Sequence, residues 1–254
     1  MSSPERTGGA RWVALGIFSS RIFGLVRMVV YSRFLGTGPF ADVLHLAMKA
    51  PNLLQNLLGE QTLSAAFIPV YSKFLEQGRE EEAGRFAGAI FGLMLAAVSL
   101  LVVLGMAAAP WLVAVLSPGY LDDAAKVAAG EIDVDRYLLQ VRAVRYIFPM
   151  AGFMVMAAWA MGVLNSHRRF FLPYMAPAFW NISIVTALVT AVYASGFLTR
   201  PEEAGIEDLT GWFFAACTGA LIGGILQFAV QLPAVFKTCR SLKIRVSTRV
   251  AGVR

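Results

Sequence analysis

Six stretches of this sequence are each long and apolar enough to cross a bilayer. That fact constrains the fold more than any other. A crossing takes roughly 20 mostly apolar residues. The stretches run over about 11–35, 40–77, 84–117, 136–165, 171–195 and 208–237. The expected fold class is an all-α polytopic membrane protein of six transmembrane helices. Composition agrees: 15% of the residues are charged, where a soluble domain carries about 25%.

Charge placement sets the expected topology, because Lys and Arg concentrate on cytoplasmic segments. With the N-terminus inside, thirteen of the 22 basic residues fall on inside segments. Only Lys126, Arg136 and Arg200 fall outside, where the loops "LDDAAKVAAGEIDVD" and "RPEEAGIED" are acidic. The expectation is a cytoplasmic tail over 1–10, a six-span unit over 11–237 and a basic segment over 238–254, with both ends cytoplasmic. The net charge of +6 therefore reports topology, and no nucleic-acid partner is expected. The polar start "MSSPERTGGAR" precedes a segment too long for a cleavable signal. Cys217 and Cys239 are about six turns apart on one expected helix, too far to bridge.

The unusual residues are charges inside the apolar stretches. "SSRIFGLVRMVVYSRFLG" carries Arg21, Arg27 and Arg33. A charge near the bilayer centre costs at least ~2.5–3.5 kcal/mol and faces a bundle interior or a wet cavity. Six-residue steps turn an ideal helix by 240°, so the three arginines form no stripe. Arg33 sits near a membrane surface and can snorkel. Arg21 and Arg27 lie deeper, either side of Gly24; a bend there, or surrounding helices, would aim both at one cavity. In the second stretch Asp42, His45, Lys49, Asn52 and Asn56 follow three- and four-residue steps and share one helix face. Pro51 and Gly59 interrupt that helix, and a polar, interrupted span points to a transport pathway. Its alternative is a structural polar seam, with Asp42 only favouring a helix start. Arg142 and Arg145 read as snorkelling residues of the fourth span. His167, in "NSHRRF", reads as an ordinary loop histidine.

Catalytic constellations are absent. Two histidines give no metal motif, and the chain has neither a G-x-S-x-G elbow nor a Walker loop. No enzyme activity and no cofactor are expected. Buried arginines suit a phosphate or pyrophosphate, which they bind through paired donors.

The run "SSRIFGLVR…YSRFLGTGPFADVLHLAMKAPNLL…GE…LSAAFIPVYSKF" resembles the MurJ/MviN family of lipid II flippases, within the multidrug/oligosaccharidyl-lipid/polysaccharide exporter superfamily. "AAPWLVAVLSPGY", "GVLNSHRRFFLPYMAPAFWNISIV" and "GGILQFAVQLPAVFK" follow in order. The resemblance implies one lobe of a two-lobed alternating-access transporter in the bacterial inner membrane, with a C-terminal lobe as partner. Its substrate would be lipid II or another polyprenyl-pyrophosphate-linked glycan, moved from the cytoplasmic to the outer leaflet while the tail stays in membrane lipid. It implies Arg21, Arg27, Asp42, Asn52 and Glu60 as substrate-binding residues; Lys49, from the polar face of the second stretch, and Gln55, whose amide can donate to a phosphate, complete the expected set. This sequence departs from the family pattern at Gln55 and Asn56, where many members have arginine, at Met28, often acidic, and at Gln61, usually glycine. The cavity so lacks one cation and one counter-ion of that pattern. The alternatives are a polysaccharide or multidrug exporter of the same superfamily and a non-transporting scaffold; a drug exporter would favour acidic cavity residues.

Overall fold

The computed structural model describes residues 4–61 and 66–242, and every regular element among them is helical. These are α1 (Pro4–Phe34), α2 (Pro39–Ala47), α3 (Lys49–Gln55), α4 (Ile68–Glu76), α5 (Glu80–Ala107), α6 (Ala109–Leu116), α7 (Asp123–Ala128), α8 (Arg136–Ser166), α9 (Phe171–Ala194), α10 (Ile206–Ala229) and α11 (Leu232–Thr238). A π-helical turn, Asn56–Gln61, follows α3. Five segments are long and apolar enough to cross a membrane: Val13–Phe34, Glu80–Ala107, Arg136–Ser166, Phe171–Ala194 and Ile206–Thr238. The protein is a multi-pass, α-helical membrane protein.

The second apolar stretch is not one helix. Pro51 has no N–H to give the carbonyl of Ala47, and the chain breaks at Met48, between α2 and α3. The π turn then widens the helix, and Gly59 lies within it. A Cβ on Gly59 would stand 3.3 Å from the Ala158 Cβ. The broken stretch nevertheless runs beside the whole of α8 and parallel to it. α2 packs near the Arg136 end, where Phe40, Val43 and Leu44 share a core with Val141 and Val144. At the other end Phe67 covers Gly162, and the Tyr71 hydroxyl bonds His167, the C-cap residue of α8. Among the described residues this stretch is thus a series of short helices beside α8 and not a sixth long one.

The most enclosed element is α8, and Trp159, Ile147, Met150 and Leu164 are fully covered there. Small residues let α9 and α10 touch backbone to backbone. A Cβ on Gly219 would fall 2.7 Å from the Ile184 Cα, and one on Gly223 would fall 2.8 Å from the Trp180 Cα. The small residues of the run "GALIG", Gly219–Gly223, thus sit at this close contact. The first helix, α1, packs chiefly along α9. Gly16 admits Tyr174 at one end, and Phe34 meets Trp212 edge-on at the other. Between Leu15 and Val29 much of the α1 surface is apolar and exposed, including Phe18, Leu25 and Val29.

Polar contacts pin both ends of the bundle. At the Arg136 end, Asp123 of α7 is fully covered and receives both Arg136 Nε (2.5 Å) and Nη2 (2.8 Å). The Arg136 guanidinium also lies 4.3 Å over the Tyr120 ring. The hydrogen bonds from Arg136 hold the Asp123 carboxyl below the usual range. At the His167 end, Ser241 Oγ donates to the Glu80 carbonyl. Burial pushes the His167 imidazole below its ordinary value, with Glu80 opposing and Arg169 assisting. His167 is therefore a half-buried anchor and not the ordinary loop histidine expected. Cys217 and Cys239 are both free and buried.

Candidate functional site

A polar cavity of about 520 Å³ opens between α1, the α3–π segment, α8, α9 and α10. Arg21, Gly24 and Arg27 line it from α1. α1 runs as one helix through Gly24, so no break there is required. On an ideal helix Arg21 and Arg27 stand 120° apart with Gly24 midway between them. A Cβ on Gly24 would meet nothing within 4 Å. The cavity covers that arc of α1 and collects both arginines. Asn52, Gln55 and Asn56 face them from the broken stretch.

The other expected residues are elsewhere. Asp42 sits in the first turn of α2 and lines a different cavity, of about 530 Å³, with Glu131, Asp133 and Arg136. Lys49 is exposed and lines none of the three cavities described here. The break at Met48 is the reason: it ends the shared face that three- and four-residue spacing would give an unbroken helix. The Glu60 side chain lies outside the described residues, as do residues 243–254 of the basic C-terminal segment. Arg33, Arg142 and Arg145 are exposed and line none of these cavities.

Arg27 is half-buried without an ion pair among the described residues. Its Nε and Nη1 are covered and bonded to nothing. What meets the guanidinium is aromatic: its Cζ lies 4.7 Å from the Trp180 ring centroid and 5.7 Å from that of Tyr31. Such contacts contribute about 0.5–2 kcal/mol.

Two carboxamides complete the wall. Asn181 Nδ2 donates to the Pro177 carbonyl at 3.1 Å, and Gln231 Nε2 donates to the Gln227 carbonyl at 2.9 Å. A carbonyl only accepts, so each amide must turn its nitrogen to the backbone and its oxygen away. Asn181 Oδ1 and Gln231 Oε1 are then buried without a partner. Pro177, inside α9, also lacks the N–H that would bond the Pro173 carbonyl, and both prolines line the cavity. The site thus pairs uncommitted guanidinium donors with uncommitted acceptors, and no carboxylate lines it among the described residues. Asn181, Trp180, Gln227 and Gln231 were not among the expected site residues. The four-residue step from Gln227 to Gln231, in an otherwise apolar stretch, is the signal that marks the two glutamines.

Comparison with known proteins points one way. The family profile described as "Lipid II flippase MurJ" matches residues 31–254; Arg21 and Arg27 precede that match. A protein of Rhizobium tropici named "Probable lipid II flippase MurJ" is 35% identical over 83% of this chain, and "Lipid II flippase MurJ" of Burkholderia cenocepacia is 30% identical over 86%. The chain covers 36% and 38% of those two proteins. A solved structure, "Lipid II flippase MurJ, inward closed conformation", superposes with a TM-score of 0.65 at 20% identity, over 93% of this chain and 44% of that one.

Proposed function

This chain belongs to the MurJ lipid II flippase family, and from that premise we propose that it forms the part of a flippase that takes hold of a polyprenyl-pyrophosphate-linked glycan. Lipid II is the substrate that the relatives' names carry. The observation that supports the reading is the central cavity: two arginines drawn from deep in an apolar helix, faced by carboxamides. Arg21 and Arg27 supply the charge for the pyrophosphate. Asn52, Gln55, Asn56, Asn181 and Gln231 suit the hydroxyl and amide groups of the attached sugar, and the two free oxygens of Asn181 and Gln231 ask specifically for donors. The polyprenyl tail stays in membrane lipid. A cavity built to select cationic drugs would instead carry carboxylates, which this one does not among the described residues.

In this reading the protein lies in the bacterial inner membrane with the His167 end cytoplasmic, where the basic residues are gathered. The head group passes from the cytoplasmic to the outer leaflet, and residues 238–254 lead toward a second lobe. Asp42 and Lys49 take secondary roles along the path. The test is growth of a flippase-depleted cell supported by the whole protein that carries this chain. Arg27→Ala is expected to abolish that support at normal expression. Normal growth with a well-expressed variant would remove the arginine from its assigned role.

A further inference from the structure

We infer that Trp180 is a positioning residue for Arg27: its indole face holds the guanidinium charge without a carboxylate, so that no counter-ion has to be displaced before Arg27 takes a pyrophosphate. The inference rests on the functional reading above and adds the residue that replaces a counter-ion.

The geometry is specific. Trp180 is fixed against α10 on one side and α8 on the other. Its Nε1 donates to the Ala220 carbonyl at 3.1 Å, and it also lies 3.2 Å from the Met150 sulfur. Gly223 leaves no slack, since a Cβ there would stand 2.9 Å from the indole Cδ1. The ring cannot follow Arg27 if that side chain moves. From the opposite side α1 presents Arg27 to the ring face, 4.7 Å away.

Chemistry explains why a ring is used there. A guanidinium is planar, and its five N–H bonds lie in that plane. A carboxylate partner occupies the edge, the same edge a phosphoryl group needs, and must be displaced before ligand binds. A π face attracts the cation from above and leaves the edge alone. Arg27 has no such edge-on partner among the described residues: Nε and Nη1 are covered and unbonded, and Nη2 is the nitrogen left to the cavity. The residue after it is Met28, so its chain neighbour offers no charge. The stack persists when ligand binds, because ring and phosphoryl group use different surfaces of the same cation.

The experiment measures binding of undecaprenyl pyrophosphate to the whole protein in lipid nanodiscs by native mass spectrometry. Undecaprenol is the uncharged control, and inorganic pyrophosphate separates head-group from lipid recognition. Trp180→Phe keeps a π face and loses the Ala220 bond; its dissociation constant is expected within threefold of wild type. Trp180→Gln keeps a donor and loses the face; it is expected to bind at least tenfold more weakly, with undecaprenol unchanged. Phenylalanines of increasing ring fluorination at position 180 drain the face at constant shape, so folding is preserved, and affinity is expected to fall stepwise with fluorine count. Inorganic pyrophosphate is expected to follow the same order. Flat affinity across the fluorinated series, or a folded Trp180→Gln that binds like wild type, would overturn the inference. If wild type binds the pyrophosphate lipid no better than undecaprenol, the functional reading itself falls, and the inference with it.

Discussion

Single residues carry the strongest consequences. Gly24 faces open space between two arginines. Gly24→Ala is expected to stabilise α1 by about 0.5–1 kcal/mol and leave transport intact, whereas Gly24→Leu fills the cavity and abolishes growth support without lowering the melting temperature. Gln231 tells a complementary story. It is almost fully covered, and its oxygen has no partner. An orphaned buried acceptor costs about 1–3 kcal/mol. Gln231→Met, close in shape, is expected to raise stability by about 1 kcal/mol in thermal melts and to weaken head-group binding. Opposite signs in the two measurements identify a polar group kept for use. Legibility at this scale was uneven. Arg21 and Arg27 stand out in the sequence because charge in an apolar run is costly wherever the helix points. Trp180 and Asn181 do not, since an aromatic or an amide in a span is ordinary until its neighbours are known.

Elements show where periodicity succeeds and where it stops. α8 and α9 begin and end within a residue of their expected limits, because length and hydropathy are local properties; the third stretch, expected over about 84–117, instead splits at Ala108 into α5 and α6, where Pro110 has no N–H for the Met106 carbonyl. α5 begins earlier than expected, at Glu80, since three glutamates, Glu80–Glu82, favour a helix N-terminus. The second stretch defeats the same method. Its spacing puts Asp42, Lys49, Asn52 and Asn56 on one face only if the helix is continuous, and Pro51 ends that continuity. A proline in the sequence signals a break but not the angle at which the chain resumes. Prolines inside α8 and α9 break neither helix. Contact between elements depends on absent side chains. Gly219→Val would drive a branched side chain into the backbone of Ile184 and the carbonyl of Ser183. It is expected to destabilise the bundle by about 1–3 kcal/mol, seen as a lower melting temperature in detergent, with Gly211→Ala, at an open position, as the neutral control.

At the scale of the molecule, the two pinned ends respond to acid in the same direction. Burial favours neutral His167 in the folded protein, so its share of stability is complete above the unfolded value of about 6.5 and is lost as pH falls below it. Asp123 is held low by Arg136, so its share is complete above the unfolded value of about 3.9 and is lost at still lower pH. Melting temperature is expected to fall in two stages on acidification. His167→Gln should remove the first stage, and Asp123→Asn should flatten the second while destabilising the protein at neutral pH. Neither end lies at the central cavity, so binding at pH 7 should be little changed in both variants. Between these pinned ends α1 is seated mainly along α9, and its two arginines flank the cavity at 60° to either side of Gly24. Six residues also separate them by about 9 Å along the helix axis. The cavity therefore meets its two positive charges at different heights on one continuous helix, like two rungs of a ladder.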